Sequence, residues 1–274
     1  MTRTRGDLCP GVLRPWPAED GALVRLRVPG GQVTRSQLER LAEVAEEHGD
    51  GDVHLTKRAN LQVRALPGDG LLPAPVVEAI RSTGLLPHPT HELVRNIVAS
   101  PLTGLAGGRA DLRDAVAVLD RGLCAHPSLA DLPGRFLFVL DDGRGDVVDR
   151  PADLGLVAVS ATEAQLRIGT EGWGPVVPLA EAPARLVGLA RAFQQVRGRG
   201  PDAPWHVDEL PTAPHHHQCD PRTRVASDPP AYGRVTDTVR HVPVPGGVLR
   251  RGFLADLPER LVVTPWRSLV AVDP

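Results

Sequence analysis

The chain has 274 residues, 42% of them hydrophobic, and a net charge of -2, which is enough apolar material for one large or two modest cores. Near-neutral charge without a run of five basic residues excludes a sequence-independent nucleic-acid footprint. No window reaches the roughly 18 apolar residues a membrane helix needs, and with no apolar signal region at the N-terminus the expectation is a cytoplasmic protein with neither membrane nor nucleic-acid partner.

Ala22 to Val28 alternates around arginines and reads as a half-buried strand. A helix follows, with Thr34 and Gln37 as a capping box, Leu38, Leu41, Val44 and Ala45 as its apolar stripe, and His48-Gly49 closing it. Val53 to Thr56 and Leu61 to Leu66 bracket a turn at 57–60, and Pro75 to Thr83 supplies a second helix ended by Gly84. From His91 an α/β segment begins. Leu112, Val116, Leu119 and Leu123 recur at helical spacing, Phe136 to Leu140 is a buried run, Leu154 to Ser160 with Gln165 to Ile168 reads as a hairpin, and Ala184 to Val196 as a helix. Pro, Asp, His and Thr dominate 201–230, a linker by composition.

Beyond that stretch the chain repeats itself. Val28-Pro29-Gly30-Gly31 recurs as Val244-Pro245-Gly246-Gly247, and in the same frame Val33, Arg35, Leu38 and Leu41 meet Leu249, Arg251, Leu254 and Leu257. After an eight-residue deletion Thr56 and Leu61 meet Thr264 and Leu269. Duplication implies a pseudo-twofold arrangement with its site between copies. The second copy has lost about two helical turns, and Gly252 and Pro258 weaken what remains, so a one-turn or irregular helix is expected there.

The polar residues of the first hairpin are the leading candidates for binding. Asn60, Gln62 and Arg64 alternate and so share a strand face, and with Arg58 at the turn they form a donor-rich shelf. Arg95 and Arg135 stand on a loop and at the mouth of a buried strand. Lys57 is the single lysine among 31 basic residues, so nearly every positive charge is a guanidinium suited to carboxylates and phosphates.

Five ordered strings carry a resemblance: Cys9-Pro10-Gly11; Asp20 to Leu26; Leu55-Thr56-Lys57-Arg58-Ala59-Asn60-Leu61-Gln62-Val63-Arg64; Thr90-His91-Glu92-Leu93-Val94-Arg95-Asn96-Ile97; and Leu132-Pro133-Gly134-Arg135-Phe136. Together they resemble the sirohaem-type nitrite and sulfite reductases and, most closely, their relative precorrin-3B synthase. The resemblance implies an α+β fold: a ferredoxin-like half-domain over 1–88, an α/β sirohaem-reductase-type domain over 89–210, a linker over 211–229 and a truncated second ferredoxin-like half-domain over 230–274. It implies a tetrapyrrole ligand, precorrin or sirohaem, and a [4Fe-4S] cluster whose ligands this chain lacks, so that a separate subunit bearing the cluster domain becomes an expected partner. By similarity Arg58, Arg95 and Arg135 match catalytic basic residues, and Asn60, Gln62, Arg64, Asn96 and Arg267 match positions that contact the macrocycle. Leu137 stands where the reductases place a second lysine, which weighs against sulfite or nitrite reduction and toward the oxygen-dependent hydroxylation of a precorrin in cobalamin biosynthesis. A non-catalytic tetrapyrrole carrier, a reductase fragment and an interaction module are the alternatives.

Cys9, Cys124 and Cys219 are too far apart in sequence for a structural metal motif. His215-His216-His217 with Cys219 invites a zinc reading, but adjacent residues in a linker seldom converge on one ion. Asp141-Asp142-Gly143 reads first as a turn.

Overall fold

The computed structural model describes residues 7–200, 202–211, 217–226 and 228–274. Two units share the chain: 9–93 with 231–274, and 1–8 with 94–230.

The first copy of the repeat comprises β1 (Trp16–Ala18), β2 (Gly21–Leu26), β3 (Gln32–Thr34), α1 (Arg35–His48), β4 (Val53–Leu55), β5 (Leu61–Leu66) and α2 (Ala74–Ser82). Ala22, Val24 and Leu26 are buried on one face of β2 while Leu23 and Arg25 take the other, as period-two alternation requires. The capping box of α1 forms as expected: Thr34 Oγ1 accepts from Gln37 N–H, and Gln37 Oε1 accepts from Thr34 N–H, each at 3.1 Å. Leu38, Leu41, Val44 and Ala45 are buried beneath it.

The α/β unit contributes β6 (Ile97–Ala99), α3 (Arg113–Cys124), β7 (Phe138–Asp141), β8 (Leu154–Ala158), β9 (Glu163–Ile168), β10 (Gly172–Pro178) and α4 (Ala182–Arg197). Its sheet runs β10-β9-β8-β7-β6, parallel from β6 to β8 and antiparallel beyond. All five residues of β8 are buried, consistent with a central strand covered on both faces. Helices α3 and α4 approach closely at Gly122, where an added Cβ would lie 2.8 Å from Val187 Cγ2. Phe136, Phe138 and Phe193 stack at 5.0 to 5.3 Å between ring centres. The stretch read as a linker is tied down where it is described. Gln165 Nε2 donates to Gln218 O at 2.8 Å, and Gln165 Oε1 accepts from Asp220 N–H at 2.8 Å.

The second copy supplies β11 (Gly233–Arg234), β12 (Val239–Val242), β13 (Val248–Leu249), α5 (Arg251–Leu254), β14 (Arg260–Val263) and β15 (Leu269–Val272). Four residues of α5 make the expected single turn. Each copy lends its short strand to the other, giving sheets β1-β2-β5-β4-β13 and β11-β12-β15-β14-β3. Val248 and Leu249 pair with His54 and Val53, and Gln32 and Val33 pair with Val262 and Leu261. This reciprocal exchange is the pseudo-twofold relation that the repeat implies. The Pro-Gly-Gly corners make it possible: Gly30 and Gly246 take φ of 61° and 63°, Gly31 and Gly247 take 71° and 73°, all in the region glycine alone enters cheaply. One core joins the copies, including Leu38, Leu41, Leu61, Leu249, Leu254 and Leu269.

Candidate functional site

The turn between β4 and β5 is built by Thr56. Its backbone N–H donates to Asn60 O at 3.0 Å, its carbonyl accepts from Ala59 N–H at 3.1 Å, and its Oγ1 accepts from Asn60 N–H at 3.1 Å. Ala59 closes the turn at φ 54°. Lys57 and Arg58 are thereby carried on a fixed loop rather than a floppy one. Asn60, 1% exposed, spends Oδ1 on Val28 N–H at 3.0 Å, pinning the exit of β2. Gln62 and Arg64 follow on one face of β5; Arg64 Nε donates to Asp20 at 3.1 Å.

Thr264–Ser268 repeats this turn bond for bond, with Thr264 N–H to Ser268 O at 2.9 Å and Arg267 N–H to Thr264 O at 3.1 Å. Trp266 therefore occupies the place of Arg58, and Arg267, at φ 59°, the place of Ala59. Ser268, in the place of Asn60, turns to Thr264 Oγ1 at 2.5 Å and to His241 Nε2 at 2.7 Å.

On the outer face of β2 and β5 lie residues that sequence reasoning did not single out. Arg25 faces Gln62 across the strands and His54 continues the row on β4. Arg27 Nη1 donates to Pro10 O and, at 2.8 Å, to Arg25 O. Glu92 accepts from Val12 N–H at 2.6 Å and Leu13 N–H at 2.9 Å. Burial pushes its carboxyl up, against the pull of those amides and of Arg27 and Arg14. Gly11 leaves room for that carboxylate, since a Cβ there would lie 2.5 Å from Glu92 Oε1. Pro10-Gly11, Arg27 just beyond β2, and Glu92 thus meet in one buried junction. The two-residue spacing of Arg25 and Arg27 was the available signal.

In the α/β unit Arg95, 6% exposed, grips Asp120 with two hydrogen bonds of 2.7 Å through Nε and Nη2. Asn96 Nδ2 donates to Gly134 O at 2.9 Å, which brings Asn96 beside the Leu132–Phe136 string, and the Arg135 guanidinium stands 5.8 Å from the Trp205 ring centre. Leu137 is buried, its N–H donating to Asp153 at 2.8 Å. Asp141 makes the expected turn by accepting from the amides of Gly143, Gly145 and Val147. Beside it Asp146 accepts from Ser100 Oγ at 2.7 Å through Oδ1, while its buried Oδ2 has no hydrogen-bond donor. Burial, with help from Asp141 and Asp142, pushes its carboxyl up to about 7.

The predicted residues thus fall into three sets: Arg58, Asn60, Gln62 and Arg64 on one hairpin; Arg267 on its repeat; and Asn96 with the Gly134-Arg135 segment, near which Arg95 is held to α3. A cubane cluster needs four thiolates and these 274 residues hold three, so the donor set does not fit the group. Among the described residues no three His, Cys, Asp or Glu side chains are grouped to hold a metal ion. Cys124 packs beside Arg95 and Asp120, and burial pushes its thiol up. His215 and His216 lie outside the described residues, and His217 N–H donates to Trp173 O at 2.8 Å. No helix among the described residues is long and apolar enough to cross a membrane.

Residues 16–74 match the nitrite/sulfite reductase ferredoxin-like half domain. Over 167 residues the chain is 34% identical to precorrin-3B synthase of Sinorhizobium sp., covering 57% of this chain and 33% of that protein. It is 31% identical over 120 residues to ferredoxin–nitrite reductase of Leptolyngbya laminosa, covering 42% of this chain and 23% of that one. The ferredoxin–nitrite reductase of Synechococcus elongatus is 29% identical over 197 residues, covering 64% and 37%. Among solved structures, the Mycobacterium tuberculosis NirA protein superposes with a TM-score of 0.64 at 17% identity, covering 92% of this chain and 54% of that one. The chain matches about a quarter to a third of the length of its curated relatives. These findings establish a mixed α+β fold carrying a nitrite/sulfite reductase ferredoxin-like half-domain, in a chain homologous to precorrin-3B synthase and ferredoxin–nitrite reductase.

Proposed function

We propose that the chain is the tetrapyrrole-binding part of a precorrin-3B synthase-like oxidoreductase, and that its ligand is a macrocycle bearing many carboxylates. The observation that carries this reading is the rigid turn at 56–60, which holds Lys57 and Arg58 on the matched half-domain next to Gln62 and Arg64. Guanidiniums bind carboxylates through paired, charge-assisted hydrogen bonds, each contributing about 1.5–3 kcal/mol when shielded from water. A cation on a preformed turn loses little entropy on binding.

In this reading Arg58 contacts the ligand and stabilises negative charge developing on it. Gln62, which accepts from Arg25 at 3.3 Å, is a positioning residue. Arg95, occupied by Asp120, acts through the α3 connection that it fixes, while Asn96 sets the backbone from which Arg135 projects. An apolar Leu137 at the entry to β7 supplies neither an anion-binding charge nor a proton, which favours hydroxylation of a precorrin over nitrite or sulfite reduction.

Absorbance titration with uroporphyrin tests the proposal. Wild-type protein should bind in the micromolar range or tighter, and Arg58→Ala should weaken binding at least tenfold. Absence of binding by the wild type refutes it. Binding that never yields turnover when the chain is co-expressed with a cluster-bearing partner would instead make the protein a carrier.

A further inference from the structure

The stretch 201–230 is a linker by composition, yet its first part is tied into the α/β unit by Arg197, Asp153 and Thr170. Arg197 Nε, at the end of α4, donates to Pro204 O at 2.8 Å. Val207 N–H donates to Asp153 Oδ1 at 3.1 Å, and Trp205 N–H closes the turn on Glu209 Oε2 at 2.7 Å. The Asp208 carboxylate accepts from Thr170 N–H at 3.0 Å and lies over Gly169, where an added Cβ would stand 1.8 Å from Asp208 Oδ1. Ala203 and Val207 are buried. A flexible linker makes no such bonds, so this segment holds one conformation.

Asp153 sets what the segment faces. It is 1% exposed, and each of its oxygens takes one amide: Oδ2 that of Leu137 at 2.8 Å, Oδ1 that of Val207. Arg135 stands two residues before Leu137, and Trp205 two residues before Val207. One carboxylate therefore holds the two segments against each other, with the Arg135 guanidinium over the Trp205 indole, 5.8 Å from the ring centre. The backbone that carries Arg135 is fixed as well. Gly134 N–H donates to Asp7, Gly134 O accepts from Asn96 Nδ2 at 2.9 Å, and Phe136 N–H donates to Pro133 O at 2.8 Å.

We propose that Trp205 is a positioning residue for Arg135: its ring holds the guanidinium by the face, so that the N–H edge is presented to an acid group of the ligand, and Asp153 fixes the ring. That Arg135 meets a carboxylate rests on the tetrapyrrole reading; the clamp itself rests on the distances above. Cation–π attraction acts on the face of a guanidinium while a carboxylate binds its edge, so the two act together. A long side chain restricted beforehand also loses less freedom when the anion binds.

In uroporphyrin titrations of the full chain, Trp205→Leu should weaken binding about twofold to fivefold, the range of a partly exposed cation–π contact, and Trp205→Phe should restore most of that loss. Arg135→Met should weaken binding too, and adding Trp205→Leu to it should weaken it no further, because the ring acts through the guanidinium. Equal binding by Trp205→Leu and wild type, or losses that simply add in the double variant, overturns the proposal. Ligand-free protein gives a separate readout. The Nε–H resonance of Arg135, assigned by its absence in Arg135→Lys, should be displaced upfield by the indole ring current and return downfield in Trp205→Leu. Arg135 is exposed, so Arg135→Met keeps the fold where Trp205→Leu does not, and its loss of the guanidinium should change the emission of Trp205. Unchanged emission overturns the contact. Should the wild type bind no uroporphyrin, the tetrapyrrole reading fails by itself, and the resonance decides the clamp: a displacement lost with the ring sustains it, and an Nε–H unmoved by Trp205→Leu ends it.

Discussion

Replacing Asp146 by Asn should remove a loss of stability that the α/β unit suffers as pH rises toward neutral. Asp146 is 5% exposed, holds Ser100 through one oxygen and leaves the other without a hydrogen-bond donor, with Arg144 Nε 3.7 Å away. Its carboxyl rises from 3.8 to about 7 because burial penalises the charged form. A carboxyl with a raised folded-state pKa binds a proton in the native protein that it has already lost in the unfolded chain. Its stabilising contribution is therefore complete below about pH 4 and disappears as pH rises to about 7, after which both states are ionised. The rise to about 7 corresponds to about 4 kcal/mol over that window. Asparagine keeps an acceptor for Ser100 and carries no charge, so Asp146→Asn should match wild type near pH 4 and exceed it by up to about 4 kcal/mol at pH 8. Urea denaturation at pH 4.5, 6, 7 and 8, followed by the fluorescence of Trp173 and Trp205 in that unit, measures the difference. A constant gap between the two proteins across these pH values would refute the assignment of an ionised, destabilising Asp146 at neutral pH.

Other substitutions probe the junctions. Gly11→Ala drives a methyl into the Glu92 carboxylate and Leu93, and should cost about 1–3 kcal/mol by calorimetry, with Glu92→Ala/Gly11→Ala much less than additive. Arg95→Ala leaves Asp120 unpaired beside Cys124 and should cost about 2–4 kcal/mol, while adding Asp120→Ala should recover part of that loss; strict additivity in the double-mutant cycle would show that the pair is not coupled. Ala59→Gly removes a left-handed non-glycine residue and should raise stability by about 0.5–1 kcal/mol without altering ligand affinity. A fall in its denaturation midpoint would contradict the turn geometry.

The elements built on periodicity were legible in the sequence: α1 with its capping box, the β4–β5 and β8–β9 hairpins, the stripe of α3 and the weakened α5 all formed near the expected residues. The exchange of β3 and β13 was not legible, because strands of three and two residues carry no period and the pairing joins residues more than 190 positions apart. Arg95 illustrates the limit for the site. A motif names the arginine, but its partner Asp120 lies 25 residues away on a helix face chosen by packing. Arg25 and Arg27 are chemically identical and two residues apart, yet Arg27 Nη1 reaches the Pro10 carbonyl, 17 residues away in sequence, while Arg25 Nη2 reaches Gln62 on the neighbouring strand, and no local pattern tells the two apart.

The repeat also explains why the cations of the candidate site lie mainly on the first copy. Turn chemistry was kept in both: Thr56 and Thr264 make the same bonds, and Gly31 and Gly247 the same corner. What diverged is the row that faces outward. Arg25, Gln62 and His54 in the first sheet correspond to His241, Val270 and Val262 in the second, where the two valines are at most 3% exposed and the histidine is internally bonded. Arg58 likewise gives way to Trp266, and Ala59 to Arg267. A scaffold requirement acts equally on both copies and conserves the turn and the corner. A ligand requirement acts on one face and leaves the other free to become apolar. Restoring the lost character with Val270→Gln would place an amide where the second copy has none to satisfy, so it should destabilise the protein by about 1–3 kcal/mol without creating a second carboxylate site. A second equivalent of uroporphyrin bound by that variant would show instead that the two faces remain interchangeable.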